Sequence, residues 1–319
     1  MRKSMITGVI LLAIIMISVA SLLYGAVHLS GHQVWQGLFS GSEHYFTIHE
    51  YRLPRLFLAV IVGALLAGAG TLVQGVIRNP LASPDILGIS HGAGLAAVLW
   101  MIVRPGTSVY WLPFVALAGG LSAAMILLLL CRHFIQPVRL ALTGVALSAL
   151  LGCAIDFLLL TQPMEINNAL LWLTGSLWGR SWNHILMLAP WLATIPFALW
   201  RCHSLNLLTL GDDKANTLGV SITKTRLWFL GIAIIWTSAS VAVVGPLSFL
   251  GLVSPHLARQ MVGGRHQILL PVSMLIGALL LLSADFLSRV AHPPLELPAG
   301  ILTAVIGAPY FLYLLTRLK

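Results

Sequence analysis

The chain has 319 residues, of which 58% are apolar and only 8% charged, whereas soluble domains carry about 25% charged residues, so this sequence cannot cover a water-facing surface. Its mean hydropathy of +0.94 and apolar runs without alternation, such as Ser4 to Leu29, point to membrane-spanning helices and exclude the alternating strands of a barrel. The net charge of +9 then reads as membrane topology and not as a nucleic-acid footprint.

Taken in chain order, apolar runs bounded by proline, glycine or charge predict ten spans, at residues 5–28, 56–77, 92–103, 111–131, 139–161, 184–202, 225–244, 248–261, 268–291 and 299–316. With about 20 apolar residues needed per crossing, residues 1–319 are filled by one transmembrane domain. The first run, Met5 to Val27, follows Met1-Arg2-Lys3 and exceeds the roughly 7–15-residue core of a signal peptide, so it is expected to be retained. After it, His28, His32, His44 and His49 gather with Glu43 and Glu50, but at spacings that fit no metal motif, HExxH included. Arg52 and Arg55 flank Pro54 just before the second span, where an arginine fork suits either lipid headgroups or an acidic protein patch. Arg289, at the end of the ninth span, is a third such residue. The turn from Arg78 to Gly88 holds two prolines and Asp85, which break any continuous helix. It is either a stiff connector or a contact for a partner. The third and eighth spans are short and are expected to be partly buried among neighbours or to begin in re-entrant turns. Gly245-Pro246 separates the seventh and eighth, and His256 beyond it is read as a hydrogen-bonding residue. Small residues recur at helical spacing in Gly63, Ala64, Ala67 and Gly68 and in Gly300, Ala304, Gly307 and Ala308, which suits close helix packing in lipid.

Asp156 and Asp285 are the acids expected within spans, Asp156 toward the bundle interior and Asp285 toward a neighbouring helix. Structural hydrogen bonding and proton or substrate coupling are both open for them. With a cytoplasmic amino terminus, the inner segments carry thirteen cations, Arg78, Arg132, Arg226 and Lys319 among them. The outer loops carry five: Arg52, Arg55, Arg104, Arg180 and Arg289. That imbalance puts both termini in the cytoplasm. The three cysteines form no CxxC, and no GxxxxGK[ST], HExxH or intramembrane Ser/His pair occurs. No catalytic site is expected, and any ATPase must be another chain.

The longest inner loop, about residues 203–224, contains Leu210-Gly211-Asp212-Asp213-Lys214-Ala215-Asn216-Thr217-Leu218-Gly219. Two acids open a short surface helix and Gly219 stops it. As a solvated loop helix or as a docking helix the segment reads equally well, Leu218 serving in the second case as an apolar knob. The pattern Gly211, Asp212, Ala215, Leu218, Gly219 resembles the coupling loop of FecCD-type permeases, the membrane subunits of ABC importers for iron chelates and cobalamin. The resemblance runs nearly end to end, through Tyr51 to Arg55, Arg78 to Gly88, Leu140 to Leu147, Gly245 to His256, Glu296 to Gly300 and Gly307 to Pro309.

The resemblance implies an all-α, ten-helix bundle of the type II importer class. It implies pairing with a second FecCD-type permease around a central pathway, two copies of an ABC ATPase on the inner face and a periplasmic substrate-binding protein on the outer. The ATPase would engage Gly211, Asp212, Ala215, Leu218 and Gly219, and Arg52 and Arg55 align with arginines that grip glutamates of the binding protein. Within the family, Glu50 to Arg55 and Ala169 to Arg180 look most like a permease of the iron(III) dicitrate importer. Ferric citrate is thus the implied substrate, the bacterial inner membrane the implied location, and no cofactor, resident metal or nucleic acid is implied. A rival from another class is an ion-coupled secondary transporter using Asp156 and Asp285 as proton sites.

Overall fold

The computed structural model describes residues 2–25, 27–106, 108–131, 136–162, 166–293 and 295–317. Arg132 and Lys319, counted above among the inner cations, lie outside them. In chain order the helices are α1 (Arg2–Leu23), α2 (Gly31–Gln36), α3 (Leu53–Ile77), α4 (Ile89–Val103), α5 (Leu112–Leu130), α6 (Pro137–Thr161) and α7 (Ile166–Leu173). They continue as α8 (Trp182–Leu192), α9 (Ile195–Leu208), α10 (Asp212–Thr217), α11 (Ile222–Val244), α12 (Leu250–Val262), α13 (His266–Val290) and α14 (Ala299–Arg317). A π-helical segment, Phe46–Arg52, runs straight into α3. Among the described residues there is no strand.

Among the described residues six helices, α1, α3, α5, α6, α11 and α13, are long and apolar enough to cross a membrane. The predicted sixth span, 184–202, is instead two helices, α8 and α9, bent by 41°. Pro196, in the first turn of α9, supplies no backbone N–H to the preceding turn, and Pro190 sits inside α8, so the hydrogen-bond ladder cannot run through. Counted once, this pair joins the six, and α4, α12 and α14, of 15, 13 and 19 residues, complete ten helical units among the described residues. The two shortest are the third and eighth in order, as their sequences predict. Two short helices, α2 and α7, were hidden in connections: α2 is set by a capping box of Ser30 and Gln33.

The bundle is built around α3, which is buried along nearly its whole length. A helix apolar on every side belongs in the middle, and in lipid its association rests on packing more than on water exclusion. The contacts are close because glycines face each other. A methyl group on Gly63 would strike the Gly277 carbonyl of α13, and one on Gly70 would strike Gly251 of α12. Ala67 and Gly68 likewise meet Gly277, Trp236 and Met274, so these small residues serve packing. On the far side α1 lays Ile10 against Ala258 and Val262 of α12 and Leu269, Val272 and Ile276 of α13. Between α11 and α12 the chain breaks at Gly245, and Phe249 adopts a left-handed φ of 67° with its ring against Gly307 of α14.

Candidate functional site

On the inner side, α9 hands the chain to α10 through Gly211, whose φ of 104° favours glycine. Asp212, in the first turn of α10, faces the positive end of the helix dipole and also holds two cations from elsewhere. Arg226 of α11 donates to both its carboxylate oxygens, at 2.8 and 3.0 Å, and Arg78, at the end of α3, donates to one of them. One carboxylate therefore ties α10 to two spans. The far end of α10 closes as a Schellman motif: Val220 N–H donates to Ala215 C=O at 3.0 Å and Gly219 N–H to Asn216 C=O at 2.9 Å. Gly219 has φ +82°, and Ala215 is fully buried beneath the turn. What remains outside is Asp213, Lys214, Asn216, Thr217 and Leu218, the last 58% exposed. The result is a rigid, polar knob with one apolar tip. Nearby, the Arg78 to Gly88 turn is fixed by Asp85, which accepts from Ser90 Oγ at 2.7 Å. Burial raises the Asp85 carboxyl above its usual range, and the serine bond works against that rise.

At the opposite end the three arginines of the expected fork are turned inward. Arg52, Arg55 and Arg289 are all buried, and their guanidiniums point to acceptors within the chain. Arg55 Nε donates to Asp285 Oδ1 at 2.7 Å and Nη1 to Glu296 Oε2 at 2.5 Å, and Tyr51 Oη donates to the other Glu296 oxygen at 2.9 Å. Arg289 lies 3.3 Å from Asp285 Oδ2 and donates to the Ser21 carbonyl, while Arg52 donates to the carbonyls of Leu22 and Val27. These residues pin the ends of α1, α3 and α13 and the loop before α14. The physical reason is charge balance: three guanidiniums at the end of a low-dielectric bundle need acceptors, and two carboxylates and three carbonyls supply them. Glu296 and Tyr51 were missed as partners, because no local spacing reveals a contact across 241 or 245 residues.

Asp285 thus lies against a neighbouring helix, as expected, held by two arginines. Asp156 departs from expectation. It is exposed on the outside of the chain, on α6, and does not face the bundle interior. Among the described residues no three of His, Cys, Asp and Glu come together as a metal site. The histidines around the first outer loop are dispersed: His28 packs on Tyr24, and His49 pairs with Glu50 at 3.0 Å. His256 shares a 2.8 Å hydrogen bond with Gln260.

Comparison with known proteins shows the family and the fold. Residues 10–317 match the model of the FecCD transport family. The chain is 54% identical over 286 residues, 89% of each chain, to the Fe(3+) dicitrate transport system permease protein FecD of Escherichia coli (strain K12). It is 47% identical to the Fe(3+)-citrate import system permease protein YfmE of Bacillus subtilis (strain 168), over 98% of this chain and 96% of that one. Its fold superposes on a metal-chelate type ABC transporter in an inward-facing conformation with a TM-score of 0.88 and 31% identity, covering 99% of both chains.

Proposed function

The chain belongs to the FecCD transport family and is a permease subunit of an ABC importer in the bacterial inner membrane, and from that premise we propose that its cargo is iron(III) dicitrate or a closely related ferric chelate. The two ferric citrate permeases, at 54% and 47% identity, support the choice of cargo. The energy comes from elsewhere: the chain has no P-loop, so two ABC ATPase subunits dock on the inner face and no ATP is hydrolysed here.

The observation that carries the coupling assignment is the α10 knob. Leu218 projects from a turn locked by Gly219, and Asp212 relays any push on that turn to α3 and α11 through Arg78 and Arg226. Closure of the ATPase pair presses on this point and shifts the bundle between two packings, outward and inward facing. The surface of α6 supports a second permease. Only Leu140, Gly144, Leu147 and Ile155 of its 25 residues are buried, yet it carries Asp156. A carboxylate facing hydrocarbon costs several kcal/mol, so this face needs a second subunit or the water of a shared pathway.

On the outer face, docking of an acidic patch of the binding protein at Arg52, Arg55 and Arg289 belongs to the same proposal, but by exchange. Glu296, with 15% side-chain exposure against none for Asp285, is the acceptor that a partner carboxylate can displace.

The test supplies the reconstituted complex with its binding protein and iron as the dicitrate or as a hydroxamate chelate. Uptake of the dicitrate with little of the hydroxamate is expected, and the reverse preference contradicts the cargo assignment.

A further inference from the structure

The outer end of the chain contains a cavity of about 830 Å³ that shares only Glu296 with the docking site. Its walls come from the end of α4 and the segment after it, from α7, from the 176–180 loop and from the 295–298 loop. Three tryptophans, Trp100, Trp172 and Trp178, give it apolar faces, and Arg104, Arg180 and Glu296 give it charge. Its volume is in the range of small-molecule sites, roughly 300–1,000 Å³.

The electrostatics select the occupant. Arg180 is largely buried; its Nε has no hydrogen-bond partner, and burial alone brings its pKa down to about 10, so it remains charged at neutral pH. A buried guanidinium with an unmatched donor is costly, and an arriving anion recovers that cost. While Arg55 holds it, the acid on the wall is offset: Glu296 accepts from Tyr51 with one oxygen and from Arg55 with the other. Arg104 adds a second cation at the exposed rim. Two guanidiniums over aromatic walls fit a compact polycarboxylate better than a neutral or cationic solute, since guanidinium pairs bidentately with carboxylate.

We propose that this cavity is a receiving site for a carboxylate-bearing anionic metal chelate, its carboxylates pairing with Arg180 and Arg104 and its carbon skeleton lying against Trp100, Trp172 and Trp178. The proposal rests on the ferric chelate reading above and gives it a location. Cargo released by the binding protein is held here by few contacts, which suits a station that must also let go.

The test measures equilibrium binding of radiolabelled ferric dicitrate to the complete transporter in nanodiscs without binding protein, for the unmodified chain, Arg180→Gln, Arg180→Lys and Trp178→Ala. Arg180→Gln is expected to weaken binding about tenfold, the loss of one charge-assisted bidentate contact. Arg180→Lys should recover part of it, and free citrate in excess should compete. Trp178 is 66% exposed, so Trp178→Ala tests the same wall without threatening the fold, and several-fold weaker binding is expected. In proteoliposomes with binding protein, Arg180→Gln should raise the KM for uptake while the affinity for the binding protein stays as it was. Unchanged chelate binding in Arg180→Gln and Trp178→Ala, no binding by the unmodified transporter, or a loss confined to binding-protein affinity overturns the proposal. An unmodified transporter that takes up no ferric dicitrate sinks the cargo reading and the cavity with it, whereas normal uptake with unaltered Arg180→Gln binding sinks the cavity alone.

Discussion

Arg55 shows what a single side chain does in this bundle. Its guanidinium joins α3 to Asp285, which has no exposed side-chain surface, and to Glu296 of the loop before α14. Arg55→Gln strands a buried carboxylate and is expected to cost about 3–5 kcal/mol, read as a lowered unfolding midpoint in detergent. Combining it with Asp285→Asn should recover part of the loss, because the double variant leaves no uncompensated charge there. Glu296→Gln tests the exchange at the docking surface. With its charge removed, Arg55 is easier for a partner carboxylate to reach, so affinity for the binding protein should rise several-fold. Unchanged or weaker affinity, by surface plasmon resonance at fixed ionic strength, contradicts the exchange. The importance of Arg55 was legible in Tyr51-Arg52-Leu53-Pro54-Arg55, but its burial was not. Sequence spacing carries no signal for a contact made across 230 residues.

At the scale of elements, α10 is the clearest case of local sequence deciding local structure. Gly211, the paired acids and Gly219 foretell a short helix with a definite start and stop, and both ends are found where those residues stand. Gly219→Pro cannot adopt φ +82°, since proline is held near −65°. Leu218→Asp places charge on the exposed tip. Both variants are expected to reach the membrane in normal amount and to lose ATP-driven uptake by at least about tenfold; retained uptake in both removes the coupling assignment. The bend between α8 and α9 was less legible. Pro190 and Pro196 were visible inside the apolar run, but proline is tolerated in spans wherever neighbours satisfy the freed carbonyls, so its presence alone does not predict a 41° break. What the sequence hid was also short: α2 and α7, of six and eight residues, fall below the length at which apolar periodicity becomes readable.

For the whole molecule, composition alone led to a helical membrane protein, and the apolar runs led to ten units in the observed order. The direction in which each helix faces was harder. Asp156 was expected inside because charge in a span seeks shelter, but it stands exposed on α6, where the proposed second permease would cover it. The proposed assembly has this physical content: an inner knob for an engine, an outer end for a receptor, and a sparsely buried helix for a second permease. The most direct test reconstitutes the full complex in proteoliposomes and follows ferric dicitrate uptake under ATP, with and without the ATPase subunits, and under an imposed proton gradient without ATP. The account predicts uptake only when ATP, ATPase and binding protein are all present. Uptake by this chain driven by the proton gradient alone would contradict it.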